Sequence, residues 1–121
     1  MSTVLIVDDD FLVAKKMQRM VADLDHTVLR VVLDADDAVS SMAEERPEIV
    51  LLDMGLGAGV TGIDVLREAR RRGFTGRVWF VSSYPQSQVA DELQTIDYDG
   101  YIDKPIHRQT LERVLRPASN A

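Results

Sequence analysis

Three consecutive aspartates, Asp8, Asp9 and Asp10, close the first apolar run of the chain. A fourth, Asp53, closes the most apolar short run, Ile49-Val50-Leu51-Leu52. Ser82 and Ser83 follow another such run, and Lys104 follows the last. Carboxylates that share a site repel one another unless a cation lies between them. Magnesium suits that task, because it takes one or two carboxylates, keeps several waters and readily adds a phosphate oxygen. Lys104 brings a compact cation with three donors, suited to an anionic oxygen, and Ser82 brings a hydroxyl. A carboxylate, a divalent cation, a hydroxyl and a lysine are the parts needed to form and hold an acyl phosphate. Each residue also has a plainer reading. Aspartates suit the first turn of a helix, and Asp10 is suited to capping alone. Ser82 reads as a loop serine and Lys104 as a solvated lysine, although Pro105 and the preceding strand weigh against the latter.

These groups need elements to bring them together. The apolar runs give strands at Val4 to Val7, Thr27 to Leu33 (edge-like, broken by Arg30), Glu48 to Asp53, Arg77 to Val81 and Gly100 to Asp103. Between them, helical spacing gives Phe11 to Leu24, with Val13, Met17, Met20, Val21 and Leu24 inward. A second helix, capped by Asp34 and stopped by Pro47, turns Ala35, Ala38, Val39 and Met42 inward. A third runs from Gly62 to Arg72 on Ile63, Leu66 and Ala69, with Gly73 as its stop. A weak fourth spans Gln86 to Thr95 with Val89, Ala90 and Leu93 inward, and a fifth spans Arg108 to Arg116 on Leu111, Val114 and Leu115. Pro117 ends the fifth, and Ala118 to Ala121 reads as a frayed tail. The glycines 55, 57, 59 and 62 make the segment after Asp53 read as a flexible loop. Strict alternation of strand and helix implies an α/β fold, a parallel sheet covered on both faces. Ligands of such sheets bind beyond the carboxyl ends of the strands. Asp8 to Asp10, Asp53, Ser82 and Lys104 should therefore converge at one edge.

With 121 residues the chain reads as a single domain, 1–121, able to build its own core. It has no cysteine, which excludes disulfide and thiolate chemistry and fits a cytoplasmic protein. The first residues lack the pattern of a secretory leader, and no apolar run reaches membrane-spanning length. A net charge of -6 argues against direct nucleic-acid binding and suits a cation site or a basic partner.

The motifs LIVDDD (Leu5 to Asp10), IVLLDM (Ile49 to Met54), VSS (Val81 to Ser83) and DGYIDKP (Asp99 to Pro105), in this order and spacing, resemble a response-regulator receiver domain. The resemblance covers essentially the whole chain and is to the chemotaxis-regulator-like form. It implies a flavodoxin-like, doubly wound five-stranded sheet of order 2-1-3-4-5 with five helices. It implies that Asp53 accepts phosphoryl from a histidine kinase or phosphotransfer protein in two-component signalling. Asp8, Asp9, Asp53 and the Gly55 backbone carbonyl would hold Mg2+ (or Mn2+), and Ser82 and Lys104 would contact the phosphoryl oxygens. Tyr101 would be the switch aromatic, Lys104-Pro105 a cis peptide, and Tyr84, Met54 and Gly55 positions that tune dephosphorylation. Output would pass through helix four, strand five and helix five to a protein target. Such a domain is no enzyme beyond magnesium-dependent self-phosphorylation and self-dephosphorylation. The chain is expected to be a monomer or a phosphorylation-dependent dimer, the latter through Asp91, Tyr98, Arg108 and Arg113, which read equally well as a solvated face. The chain departs from the pattern after Asp53, where the usual proline is missing and Gly62 falls one residue late.

Alternatives stand beside this reading. The chain is also readable as a receiver fragment of a larger transcription factor or hybrid kinase. Asp8-x-Asp10 after the first strand also fits a haloacid-dehalogenase-like phosphatase with Asp8 as nucleophile, which leaves Asp53 without a role. A receiver degraded to a binding module would not need the complete set of acceptor, metal, hydroxyl and lysine groups. A flavin carrier on the same fold would meet repulsion between its phosphate and the aspartates.

Overall fold

A computed structural model describes residues 2–116. Five parallel strands lie in the order β2-β1-β3-β4-β5. They are β1 (Thr3–Val7), β2 (Thr27–Val32), β3 (Ile49–Asp53), β4 (Arg77–Ser82) and β5 (Gly100–Asp103). The helices are α1 (Phe11–Asp23), α2 (Ala35–Glu45), α3 (Gly62–Arg71), α4 (Ala90–Leu93) and α5 (Arg108–Val114). The expected doubly wound α/β architecture is thus the observed one.

All of β3 is buried, as a central parallel strand covered on both faces must be. Its alternate side chains feed two cores. Val50 and Leu52 join Phe80, Leu66, Met42 and Phe74 beneath α2 and α3. Ile49 and Leu51 join Ile6, Met17, Val81 and Leu111 beneath α1 and α5. The edge strand β2 is mostly exposed, and its register with β1 slips between Val4 and Leu5, leaving Leu29 as an extra residue. A bulge of this kind helps to keep an open edge from pairing with other chains.

The capping expectations hold where a side chain was available. Asp10 accepts from the Leu12 and Val13 amides, and Asp34 accepts from the Asp37 amide. Gly73 ends α3 at φ 97, a left-handed conformation that favours glycine. α3 starts at Gly62 as expected, and its unanticipated cap is a reciprocal capping box formed by Thr61 and Asp64. The sequence reading also missed Ala14, Val65 and Phe74 as core residues.

Several boundaries move. β1 begins at Thr3, β2 ends at Val32 and β3 begins at Ile49. α5 ends at Val114 and gives way to a turn before Arg116. The largest correction concerns the fourth helix. Gln86–Val89 is a 3-10 turn, and only Ala90–Leu93 is α-helical. Val89 and Leu93 pack on the core as expected, Ala90 is exposed instead, and Ile96 and Tyr98 add inward contacts. No side chain caps the N-terminus of either piece, and the Thr95 hydroxyl, which donates to the Glu92 carbonyl at 2.6 Å, serves the C-terminal end alone. Pro117 and the Ala118 to Ala121 tail lie outside the described residues.

Candidate functional site: an acidic pocket at the carboxyl edge of the sheet

Asp8 follows β1 directly, Asp53 ends β3, Ser82 ends β4 and Lys104 follows β5. The parallel order places all four at one edge of the sheet. Asp8, Asp53 and Ser82 are buried, at 0%, 5% and 1% exposure. Asp9 is exposed at the rim. Carboxylate oxygens of Asp8, Asp9 and Asp53 lie within 4.8 Å of one another.

Lys104 reaches into this cluster. Its Nζ lies 3.0 Å from Asp8 Oδ2 and 3.5 Å from Asp53 Oδ1. Three carboxylates against one ammonium leave two uncompensated negative charges, the amount a divalent cation neutralises. The oxygens are not all engaged elsewhere. Asp8 Oδ1 accepts from the Asp10 amide at 2.8 Å. Asp8 Oδ2 is buried without a well-formed hydrogen bond, with the Lys104 ammonium 3.0 Å away. Asp53 Oδ1 accepts a long bond from the Gly55 amide at 3.3 Å. This donor set fits a hard cation such as magnesium.

The charge imbalance shows in the titration of the groups. Burial, and then the charge of Asp8, push the Asp53 carboxyl up to about 7, against the pull of Lys104 and the Gly55 amide. Burial alone would lower the pKa of Lys104, but Asp8 and Asp53 outweigh it and hold the ammonium above its ordinary value.

A hydrogen-bonded path leaves the pocket on the β4–β5 side. The Ser82 hydroxyl accepts from the Tyr84 amide at 2.8 Å, and the Tyr101 hydroxyl donates to the Tyr84 carbonyl at 2.9 Å. Ser82 and Tyr101 therefore hold the two successive peptide units that flank the Tyr84 α-carbon. Burial raises the pKa of the Tyr101 phenol, so it stays protonated and able to donate. The Ser82 carbonyl accepts from the Lys104 amide at 2.8 Å, and Lys104-Pro105 is cis, as expected. Tyr84 is half exposed, and its ring lies over Gly55: a Cβ added there would sit 3.3 Å from Tyr84 Cε2. Met54 points away from this mouth, into the core beneath α2 and α3, with 1% exposure. Ser83 is exposed and stands outside the carboxylate cluster.

The segment after Asp53 is ordered, contrary to the flexible loop expected from its glycines. Gly55 and Thr61 pair as an antiparallel bridge, Leu56 donates to the Val60 carbonyl at 3.1 Å, and Val60 donates to the Gly57 carbonyl at 3.0 Å. Gly57, Ala58 and Gly59 hold φ of 81, 53 and 77, a left-handed run across the tip in which Ala58 and Gly59 are the central residues of the turn closed by the Val60–Gly57 bond. Leu56 is buried in the main core and anchors the hairpin. Thr61, Asp64 and Asp99 escaped sequence reading. Thr61-x-x-Asp64 was a legible capping signature. Asp99, whose carboxylate accepts from the Val78 amide at 2.8 Å, had no local signal.

The surface groups considered for dimerisation are partly committed within the chain. Arg108 pairs with Asp23 at 3.0 Å, and Tyr98 accepts from Gln86 and packs on Phe80.

A five-stranded parallel sheet with a lysine-bridged aspartate cluster at its carboxyl edge is the architecture of a signal receiver. The family model of the response regulator receiver domain matches residues 4–116, and the chain belongs to that family. Among curated proteins it is 30% identical over 116 residues to the phyllosphere-induced regulator PhyR of Methylorubrum extorquens, covering 95% of this chain and 42% of that protein. It is 27% identical over 111 residues to the two-component response regulator PhoP of Pseudomonas aeruginosa, covering 92% of this chain and 48% of that protein. The chain thus spans less than half the length of these relatives. A receiver domain from Methylobacillus flagellatus superposes with a TM-score of 0.83 at 23% identity, covering 95% of this chain and 96% of that one. The receiver domain of a Pseudomonas aeruginosa sensor histidine kinase, solved with magnesium coordinated in its active-site cleft, gives 0.83 at 22% identity, covering 94% and 93%. Response-regulator receivers are signalling domains of two-component systems rather than enzymes in the usual sense, and they work with histidine kinases and downstream effectors. Among the described residues, no helix is long and apolar enough to cross a membrane.

Proposed function

We propose that the chain is a phospho-accepting switch in which Asp53 takes phosphoryl from a histidine kinase or phosphotransfer protein. The observation that carries this reading is the buried Asp53 carboxylate, held against Asp8 and bridged to it by Lys104. A carboxylate oxygen of Asp53 attacks the phosphorus of the donor's phosphohistidine. A P–O bond forms as the P–N bond breaks, and the leaving electron pair returns to the imidazole nitrogen. Asp8, Asp9, Asp53 and the Gly55 carbonyl are the residues that would hold Mg2+ (or Mn2+). When bound, the cation supplies neutralisation of the phosphoryl oxygens.

This chain's own residues do the rest. Lys104 keeps one charge on the acceptor before transfer and turns to a phosphoryl oxygen afterwards. The Ser82 hydroxyl, which accepts from the Tyr84 amide, has its own proton to donate to a phosphoryl oxygen. Movement of Ser82 toward the phosphoryl group pulls on the backbone of Tyr84, whose carbonyl Tyr101 holds, and so reaches the face of α4, β5 and α5 that docks a downstream protein. Tyr84, lying over Gly55, screens the acyl phosphate from water. The phosphatase alternative loses support because Asp10 is occupied by capping α1.

The test is incubation with magnesium and a small phosphodonor, followed by intact mass and site mapping. One phosphoryl group on Asp53, lost in Asp53→Asn, is the expected result. Labelling at Asp8, or continuous turnover of the donor, would overturn it in favour of a phosphatase. No labelling with an intact fold would favour a binding module.

A further inference from the structure

We propose that the Gly55–Thr61 hairpin is a positioning element for the cation site, and that Ala58 and Gly59 at its tip set how tightly that site holds magnesium. The inference rests on the reading of Asp8, Asp9, Asp53 and the Gly55 carbonyl as ligands. Three of those ligands are side chains on strand ends. The fourth is a backbone oxygen with no rotamer of its own, so only its peptide plane can aim it.

The Leu56 amide lies in that plane and donates to the Val60 carbonyl at 3.1 Å, and the preceding peptide plane is pinned as well. The Gly55 amide donates to Asp53 Oδ1 at 3.3 Å. Gly55 is bridged to Thr61, and behind them the Gly62 amide donates to the Met54 carbonyl at 2.7 Å. The Leu56–Val60 bond closes the hairpin, and Leu56 is buried in the core. The hairpin also flanks the exposed ligand, since a Cβ added at Gly57 would sit 3.8 Å from Asp9 Oδ2. A free loop of this length would have to be ordered each time a cation bound. Here the ordering is already done by a turn that touches no ligand. Metal ligands held by such outer supports lose affinity when the support is removed.

The turn has one off-type residue. Both central positions need positive φ, which Asn and Gly adopt readily and alanine does not. Ala58 sits there at φ 53. Ala58→Asn should keep the hairpin, whereas Ala58→Pro, with φ fixed near −65°, should open it.

The experiment measures magnesium binding to the unphosphorylated protein by calorimetry, together with hydrogen exchange at the Leu56 and Val60 amides. The expected result is an affinity in Ala58→Pro weaker by about tenfold, with protection lost at both amides, and wild-type or tighter binding in Ala58→Asn. Unchanged affinity in a variant whose amides have lost protection would overturn the inference. Protection that survives in Ala58→Pro would also overturn it, because the turn would not depend on that residue. If Ala58→Pro fails to fold, Gly59→Val, a β-branched residue at positive φ, takes its place with the same expected loss. A wild-type protein that binds no magnesium would sink the ligand reading itself, a result distinct from either failure of the hairpin.

Discussion

Two connections leave the carboxyl edge of the sheet beside Asp53, and they are built in opposite ways. The one between β3 and α3 is a closed hairpin that runs into a capping box, with Leu56, Gly62 and Ile63 buried. The one between β4 and β5 is a 3-10 turn and a single helical turn without side-chain N-caps, exposed almost throughout from Ser83 to Glu92. The first carries the proposed ligand carbonyl. The second is tied to the site through the backbone of Tyr84, whose amide Ser82 accepts from and whose carbonyl Tyr101 donates to. Few buried contacts and open backbone bonds mark a segment that opens at low free-energy cost. The pocket therefore has a fixed wall that holds charge and a yielding wall that can answer to it.

The strongest test of the fixed wall is Gly62→Ala. The new Cβ would meet the Asp53 carbonyl at 2.5 Å, a backbone atom that cannot rotate away. Urea unfolding should show a loss of about 3 kcal/mol, at the upper end for overpacking. A cost under half of that would mean the hairpin wall yields too.

Next comes the charge the wall holds. The Asp53 pKa is raised by folding from 3.8 to about 7. Between those values the folded state binds more protons than the unfolded one, so the group's contribution to stability falls as pH rises through this window. Asp53→Asn should therefore stabilise the magnesium-free protein by on the order of 2 kcal/mol at pH 8 and by far less at pH 4. Magnesium should stabilise the wild type more as pH rises. Denaturation curves at several pH values, with and without the ion, decide it. A pH-independent difference would remove the proposed repulsion.

Thr61→Ala should cost about 1 kcal/mol by removing the cap of α3. The matching change on the other side, Ala90→Gly in the exposed single turn of α4, should cost less than about 0.5 kcal/mol. Equal losses would erase the contrast between the connections. The smallest effect on stability is expected for Tyr84→Ala, within about 0.5 kcal/mol, since the ring is half exposed. Its effect should appear instead in the acyl phosphate, with a shorter lifetime followed by intact mass. An unchanged lifetime would leave Tyr84 as a backbone tether only.

Much of this was readable before any coordinates. The five strands announce themselves because buried parallel strands need continuous apolar runs, and Ile49 to Leu52 is such a run. The site follows, because topology brings strand ends together whatever the loops do. The two connections were misread for related reasons. Val89, Leu93 and Ile96 are spaced as a helix would space them, but the same contacts are made by a 3-10 turn, one helical turn and a bend. Apolar spacing does not register missing N-caps or an exposed Ala90. After Asp53, the glycines suggested mobility, whereas closure depends on positive φ at Ala58 and on Leu56 entering the core. Neither is a property of glycine count.

Trp79, the only tryptophan, lies on β4 between Leu51 of β3 and Gly100 of β5. Its ring occupies the room that Gly100 leaves, where an added Cβ would fall 2.2 Å from Trp79 Cζ3. The indole N–H is buried there without an acceptor among the described residues. All tryptophan emission from this chain thus originates beside the residue that precedes Tyr101. A change in the spacing of β5 should alter the wavelength or intensity of that light, so the molecule carries its own optical gauge of the strand through which its signal would leave.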